Sequence, residues 1–423
     1  MSETPIVVVG AGLQGLCSAL ALVERGEPVR VIERREGPAL ETSYANAGML
    51  TPSQPDPWNS PGVGKHLLQS LGRNDSAMLL RVRALPSLLG WGLRFLRNSS
   101  PSRHRRATRN VFALAQYSLG ATAALRESLG LEYEASTLGT LKLFRDRKAF
   151  ETSLGIVKRL AEAGLVFRAL DADGLVAAEP MLAPVYGDFF AGLHFPGDEC
   201  GDAHLFCQAL AAQLEARGVR VETGVEVKSL RCHSGHVQGL ELADGVVEAE
   251  RVVVAAGCWS HALVRSAGLR LPVRPAKGYS LTVEARHLPE RPALAVLDDH
   301  LHIAVVPLGT RLRIAGTAEF AGMDPRIRAP RVQNLVDHFL RIYPELAAEL
   351  DLRAGTTWAG LRPMSADGLP LIGETAIRGL YLNTGHGQLG WTLAVGSGQV
   401  LADLVIGNPP GVEPNPYLAS RAL

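Results

Sequence analysis

The sequence predicts an α/β protein in which a doubly wound parallel-sheet domain is interleaved with an α+β domain built on an antiparallel sheet. Three observations predict it. VVVGAGLQGL at 7–16 is a β-branched strand running into a glycine turn and an alanine- and leucine-rich helix. A second glycine-rich stretch, LNTGHGQLGWTLAVGSG at 382–398, stands at the far end of the chain. At 423 residues the chain is too long for one ordinary core, so two domains are expected.

Taken in order, Ile6 to Val9 is the first strand, a helix follows to Arg25, and Pro28 to Glu33 forms a second strand ending in an acid. Gly10 permits the tight turn, Gly12 lets the backbone approach a pyrophosphate, Gly15 lets helix and strand pack closely, and Glu33 can accept from a ribose hydroxyl. This is a Rossmann-like dinucleotide unit. After Arg35 the run GPALETSYANAGMLTPSQPDPW is irregular to about Gly64, and two or three helical stretches are expected from His66 to about Gly130. A strand TLKLF and a helix from about Lys148 to Gly164 come next. A second parallel-type unit follows: a helix from Ala203 to Arg217, the strand VRVETG, a hairpin around Ser234 and Gly235, and the strand RVVVAAG running into CWS. Residues 278–318 alternate in short, antiparallel-looking strands, and 351–398 return to strands and the second glycine loop. The order implies discontinuous domains, 1–52, 198–263 and 359–423 for the first, 53–197 and 264–358 for the second.

A net charge of +1 gives no global reason to expect nucleic acid. The five cysteines show neither CxxC nor Cys/His ligand spacing and are odd in number, so neither a disulfide framework nor a metal site is expected. GDECGD at 197–202 reads as a loop with capping aspartates. The uncharged run 4–23 follows MSET without a basic region and is broken by glycines at nucleotide-loop spacing, which points to a cytoplasmic protein.

A dinucleotide whose second half is a flavin extends well beyond the first turn, so its ring must be received elsewhere. Gly385, Gly387 and Gly390 could bring backbone amides against a flat ring, with a helix start directed at the pyrimidine edge where reduction builds negative charge. The same glycines could equally serve tight helix packing.

These residues carry a resemblance. GAGLQG with Glu33, GPALETSYANAG, GLHFPGDECGDAHLF at 192–206, VVVAAGCWS, GLRPMSADGLPLIG and LNTGHGQLGWTLAVGSG together resemble the FAD-dependent D-amino-acid dehydrogenases of bacteria, within the D-amino-acid oxidase, glycine oxidase and sarcosine oxidase superfamily. The similarity runs over nearly the whole chain. It implies a Rossmann-like FAD-binding domain with an interleaved α+β substrate domain, and FAD held noncovalently, since relatives that attach flavin use a cysteine near GLRPM and none lies there. It implies Gly10, Gly12, Leu13, Gln14 and Gly15 at the pyrophosphate, Glu33 at the ribose, and Arg34 or Arg35 near the adenine or phosphates. Thr42 and Ser43 would follow the phosphates and ribityl, Asn46, Ala47, Gly48 and Met49 the isoalloxazine, and Val227 the adenine. Ala256, Gly257 and Trp259 would close the strand end, and Gly385, His386, Gly387, Gln388, Leu389 and Gly390 would take the pyrimidine side.

Arg362 in WAGLRPM offers a rigid fork for both oxygens of a carboxylate, and in similar enzymes the arginine of this motif does that. Tyr44, Tyr279, His302 and His386 are further candidates for the catalytic pocket. Amino-acid oxidases often carry a carboxylate-binding tyrosine on the strand that here reads DDHLHIAVVP, where this chain has none, and His302 is the candidate substitute. The implied reaction oxidises a D-amino acid by hydride transfer to flavin N5, the imine hydrolysing to a 2-oxo acid and ammonia, with electrons passed to a quinone or another acceptor. The missing tyrosine makes a cyclic substrate, D-proline or cis-4-hydroxy-D-proline, the alternative. An oxygen-using oxidase is a third version. An NAD-dependent enzyme has no use for the second loop, and a noncatalytic FAD carrier would be reduced by no amine. Arg81 to Arg109, with arginines among Leu, Trp and Phe, reads either as a helix packing its apolar side on the core or as a segment docking on the inner face of an anionic membrane. The oligomeric state stays open.

Overall fold

The computed structural model describes residues 4–65 and 78–421, so part of the helical stretch expected after His66 lies outside the described residues. Two sheets organise the chain. The first has six strands in the order Leu371–Glu374, Leu380–Thr384, Val252–Val254, Ile6–Val9, Val29–Ile32 and Arg220–Glu222. All neighbours are parallel except the first pair. The run Ile6–Val9 is buried on both faces, as its uninterrupted β-branched sequence requires. From this central strand the chain passes to Val29–Ile32 on one side, while Val252–Val254 pairs on the other. That order places a crevice at the carboxyl end, beside Gly10.

Helices Leu13–Glu24, Ala203–Ala216 and Ala394–Ile406 share one core on the sheet's first face. Gly398 sets the close approach: a Cβ there would stand 2.6 Å from the Cys17 carbonyl oxygen. Helix Pro101–Leu129, expected with the second domain, packs into this same core through Ala107, Val111, Leu114 and Ala115. Small residues allow it, since a Cβ on Gly396 would stand 2.7 Å from Ser118 Cβ. The opposite face is covered by the hairpin sheet Ser229–His233, His236–Leu242 and Gly245–Glu248 and by helix Ser260–Arg265.

The second sheet orders Thr356–Ser365, Val273–Glu284, Arg311–Phe320, Ile303–Leu308, Ala295–Asp298, Thr140–Phe144, Ala191–Phe195 and Arg168–Leu170, with Met78–Leu80 added beside Arg311–Phe320. It is antiparallel except where Thr140–Phe144 meets Ala295–Asp298 and Met78–Leu80 meets Arg311–Phe320. Alternation divides its faces: Leu312 and Ile314 enter a core with helix Ala329–Leu340, while Ala315 faces a cavity. The strand Thr356–Ser365, which the expected boundary at 359 would cut, runs whole in this sheet because it pairs continuously with Val273–Glu284.

Helix Leu85–Asn98 packs one apolar face of the basic segment on the core. Leu88, Trp91 and Phe95 are buried, whereas Leu89 and Leu93 are 66% and 71% exposed on another face, with Leu96 beside them. No helix among the described residues is long and apolar enough to cross a membrane.

Candidate active site

A cavity of about 1380 Å³ lies between the crevice of the six-stranded sheet and the open face of the larger one. Its first end is built by GAGLQG. Gly10 has φ +109°, and a Cβ on Gly15 would sit 1.7 Å from the Gly10 carbonyl oxygen, so only glycine fits there. Gly15 itself stands behind the cavity wall, while Gly10, Gly12, Leu13 and Gln14 form it. The Leu13 N–H donates to Ser43 Oγ at 3.2 Å, bringing Ser43 to the helix N-terminus. Buried Glu33 accepts from the Ala11 N–H at 2.7 Å and the Arg35 N–H at 2.9 Å, which fixes its carboxylate at the strand end with lone pairs to spare.

Val227 lines the same end. Arg34 lies with its guanidinium 3.7 Å over the Trp259 ring and pairs with Glu41. Arg35 also pairs with Glu41, at 2.7 Å, but is half exposed and stays off the wall, in the bend that follows strand Val29–Ile32. Ala256 and Gly257 complete this part of the wall, held by Thr384 Oγ1 donating to the Gly257 carbonyl at 3.1 Å.

The second glycine loop meets the first directly. Gln14 Nε2 donates to the Gly390 carbonyl at 2.7 Å across 376 residues of sequence. Gly385 (φ +81°) turns the chain behind the wall, and Gly387 (φ +59°) opens a 3₁₀ turn Gly387–Leu389 ahead of the helix that starts at Ala394. His386, Gly387, Gln388, Leu389 and Gly390 all line the cavity. Gln388 Nε2 donates to the Asp56 carbonyl at 3.0 Å, tying this loop to the irregular segment after Gly48. His386 Nε2 lies 2.9 Å from Ser397 Oγ and its buried Nδ1 has no partner among the described residues. Burial pushes its pKa down to about 3, so the imidazole is neutral at physiological pH.

The opposite wall carries Thr42, Ser43 and Asn46 to Met49. Thr42 Oγ1 donates to the Leu361 carbonyl at 2.7 Å, Asn46 Oδ1 accepts from the Gly48 N–H at 2.9 Å, and Ser280 Oγ donates to the Ala45 carbonyl at 2.7 Å. The loop is therefore pinned to the large sheet. Of the GDECGD aspartates, Asp202 caps helix Ala203–Ala216 through the His204 N–H at 2.9 Å. Asp198 instead accepts from Ser53 and Thr140, and burial pushes it up to about 7.

Arg362 lines the cavity where the two sheets meet. Its Nη1 donates to the Thr317 carbonyl at 3.2 Å, its guanidinium lies 5.6 Å from the Trp58 ring, and no carboxylate pairs with it among the described residues. Burial pushes its pKa down to about 10, which leaves it cationic at neutral pH. Tyr279 also reaches the wall, but its hydroxyl is committed to Glu319 at 2.6 Å, and burial followed by that carboxylate raises its pKa. Glu319 in turn receives Arg81 at 2.7 Å and faces Lys277 at 3.6 Å. His302 is in the wall with φ +52°, in the turn before strand Ile303–Leu308 rather than on it, and burial lowers its pKa. Tyr44 does not join the cavity: the turn closed by its N–H to the Glu41 carbonyl sets its ring against His204, 4.8 Å between centroids.

Sequence reasoning missed Trp58, Gly278, Thr317 and Trp358 in the wall, and Ser397 behind His386. Gly278 in AKGYSL, a glycine inside a long strand, was the one available signal of a close approach.

The cradle fits a dinucleotide: a glycine turn that any Cβ would fill, a fixed carboxylate at the following strand end, and a continuous cavity to a second glycine loop. The family model described as FAD dependent oxidoreductase matches residues 5–404. A protein named D-amino acid dehydrogenase from Methylobacterium sp. (strain 4-46) is 42% identical over 418 residues, covering 98% of each chain. One of the same name from Paramagnetospirillum magneticum is 41% identical, covering 96% of each. Among solved structures, glycine oxidase from Geobacillus kaustophilus superposes with a TM-score of 0.75 at 25% identity over 99% of each chain. L-proline dehydrogenase from P. horikoshii gives 0.75 at 18% identity over 99% of this chain and 98% of its own, a likeness of fold.

Proposed function

The chain belongs to the FAD dependent oxidoreductase family, and from that premise we propose that it is a dehydrogenase oxidising D-amino acids to imines, which water converts to 2-oxo acids and ammonia. The observation that carries this reading is Arg362, a partly buried cation without a carboxylate partner among the described residues, set in the cavity wall. The relatives named D-amino acid dehydrogenase, at 41–42% identity over nearly the whole chain, support it.

FAD, when bound, supplies the two-electron acceptor for the substrate hydride. Gly10, Gly12 and the start of helix Leu13–Glu24 would hold its pyrophosphate, Glu33 its ribose, and residues 46–49 with 386–390 its ring. We take the attachment as noncovalent. Cys258, whose Sγ–H donates to the Leu361 carbonyl at 3.2 Å, is not a wall residue. Arg362 would pair with both carboxylate oxygens and so fix which face of the alpha carbon meets the ring. Trp58 and Trp358 line the same region and would exclude water.

A second reading keeps the fold and takes a cyclic secondary amine, D-proline or cis-4-hydroxy-D-proline. It is favoured by His302, an imidazole whose pKa burial lowers, in the turn that leads into the strand where amino-acid oxidases often carry a tyrosine. Product analysis separates the two. With an artificial quinone as acceptor, acyclic D-amino acids should yield one ammonia per acceptor reduced. Turnover confined to D-proline, with no ammonia, would move the assignment to the cyclic amine. Peroxide formed at the turnover rate in air would replace the quinone by oxygen.

Leu89, Leu93 and Leu96, exposed beside Arg94 and Arg97, give the enzyme a surface suited to an anionic bilayer and hence to a membrane quinone.

A further inference from the structure

We propose that Gly278 and Thr317 are positioning residues that aim the Arg362 guanidinium while leaving its charge unspent, an inference that rests on Arg362 being the carboxylate anchor. Three adjacent strands make the device. Arg362 pairs with Ala276 and Gly360 with Gly278, so Gly278 lies on the neighbouring strand two residues along from Arg362's own partner. The arginine side chain crosses that strand at Gly278, where a Cβ would stand 2.4 Å from the guanidinium carbon. It thereby reaches the third strand and donates from Nη1 to the Thr317 carbonyl at 3.2 Å.

Thr317 is placed to receive it by a bulge. Tyr279 pairs with Gly316 and Lys277 with Glu319, so the strand Arg311–Phe320 carries one residue more than its partner across this interval. Thr317 takes up the extra residue with φ +56°, a conformation that β-branched side chains disfavour. Backbone strain in a residue that also lines the cavity marks a constraint the surrounding structure enforces.

The choice of acceptor matters chemically. A carboxylate partner would orient Arg362 but neutralise it and compete with the substrate for the fork. A carbonyl occupies one N–H of five and adds no formal negative charge. The remaining donors and the positive charge stay available for a ligand carboxylate. Gly278 and Thr317 thus become determinants of carboxylate affinity, although neither donates to the ligand.

The test uses the FAD-loaded full chain and benzoate as an inert carboxylate, its binding read from the flavin's visible spectrum and compared with the KM for the amino acid. Gly278→Ala places a methyl under the guanidinium, and Thr317→Pro cannot adopt φ +56°, so the two break the arrangement from different strands. Both should retain FAD, lose roughly tenfold or more in benzoate affinity and raise KM in step. Thr317→Gly keeps the left-handed carbonyl and should stay within about twofold of wild type. Wild-type benzoate affinity in either breaking variant that holds FAD would overturn the proposal, as would a tenfold loss in Thr317→Gly. Arg362→Lys separates the two layers: wild-type affinity there would overturn the anchor reading itself.

Discussion

At the residue scale, Arg362 and His386 carry the most consequence. Lysine cannot reproduce the planar fork of arginine, so Arg362→Lys should raise KM by roughly ten- to a hundredfold, the loss expected when a bidentate pair becomes a point contact. Steady-state kinetics across the D-amino acid panel checks this, and a change in kcat alone would place Arg362 elsewhere in the cycle. His386 gives a pH prediction. Its folded pKa is depressed from 6.5 to about 3 by burial, so the unfolded chain binds a proton below 6.5 that the folded chain refuses. The stability this confers is present above pH 6.5 and is lost as pH falls toward 3, on the order of a few kcal/mol in all. In denaturant titrations at saturating FAD, His386→Asn should lose less stability between pH 7 and pH 4 than wild type. An equal loss in both would show that the imidazole is not the group responsible. The loop glycines were legible in the sequence because local spacing specifies them, and Arg362 because GLRPM carries the family resemblance. Thr317, Gly278 and Ser397 were not, since their roles arise from strand register and from contact between distant segments. Tyr44 misled because it shares a motif with Ser43, yet one turn separates their directions.

At the element scale, two close approaches decide whether the nucleotide unit holds. Gly15→Ala would drive a methyl into the Gly10 carbonyl, only 1.7 Å from the ideal Cβ position. The helix must then lift off the strand, costing roughly 1–3 kcal/mol or more and the FAD cradle with it. Gly398→Ala, with its Cβ 2.6 Å from the Cys17 carbonyl, should cost a similar ~1–3 kcal/mol through helix packing while sparing the loop. Thermal unfolding and FAD content together check the pair: comparable losses of stability, with FAD retention lower in Gly15→Ala. Equal FAD retention would deny the first loop its special place. Most elements were legible from periodicity and turn residues. The partner of helix Pro101–Leu129 was not, because an apolar stripe of Ala, Val and Leu does not say which core it enters. The second loop left two readings open for Gly385, Gly387 and Gly390: Gly387 and Gly390 face the cavity and Gly385 turns behind its wall, while the glycines that serve helix packing are Gly396 and Gly398, further along.

At the scale of the whole molecule, interleaving explains why the two glycine loops, hundreds of residues apart, meet at one hydrogen bond from Gln14 to Gly390. It also explains how Arg362, on the large sheet, can face a crevice built by the small one. The exposed leucines of helix Leu85–Asn98 extend the account outward. Wild type should sediment with anionic vesicles at low salt and be released by added salt. Leu89→Ser with Leu93→Ser should weaken that binding without changing FAD content, and failure of wild type to sediment at low salt would remove the membrane surface from the account. The central claim, that this cavity oxidises the alpha carbon of a D-amino acid held by its carboxylate, is tested most directly without oxygen. The FAD-loaded protein is mixed with D- and L-amino acids, D-proline and cis-4-hydroxy-D-proline while the flavin's visible absorption is followed. Acyclic D-amino acids should bleach it rapidly and their L-enantiomers should not; a yellow protein that none of these amino acids bleaches would contradict the account.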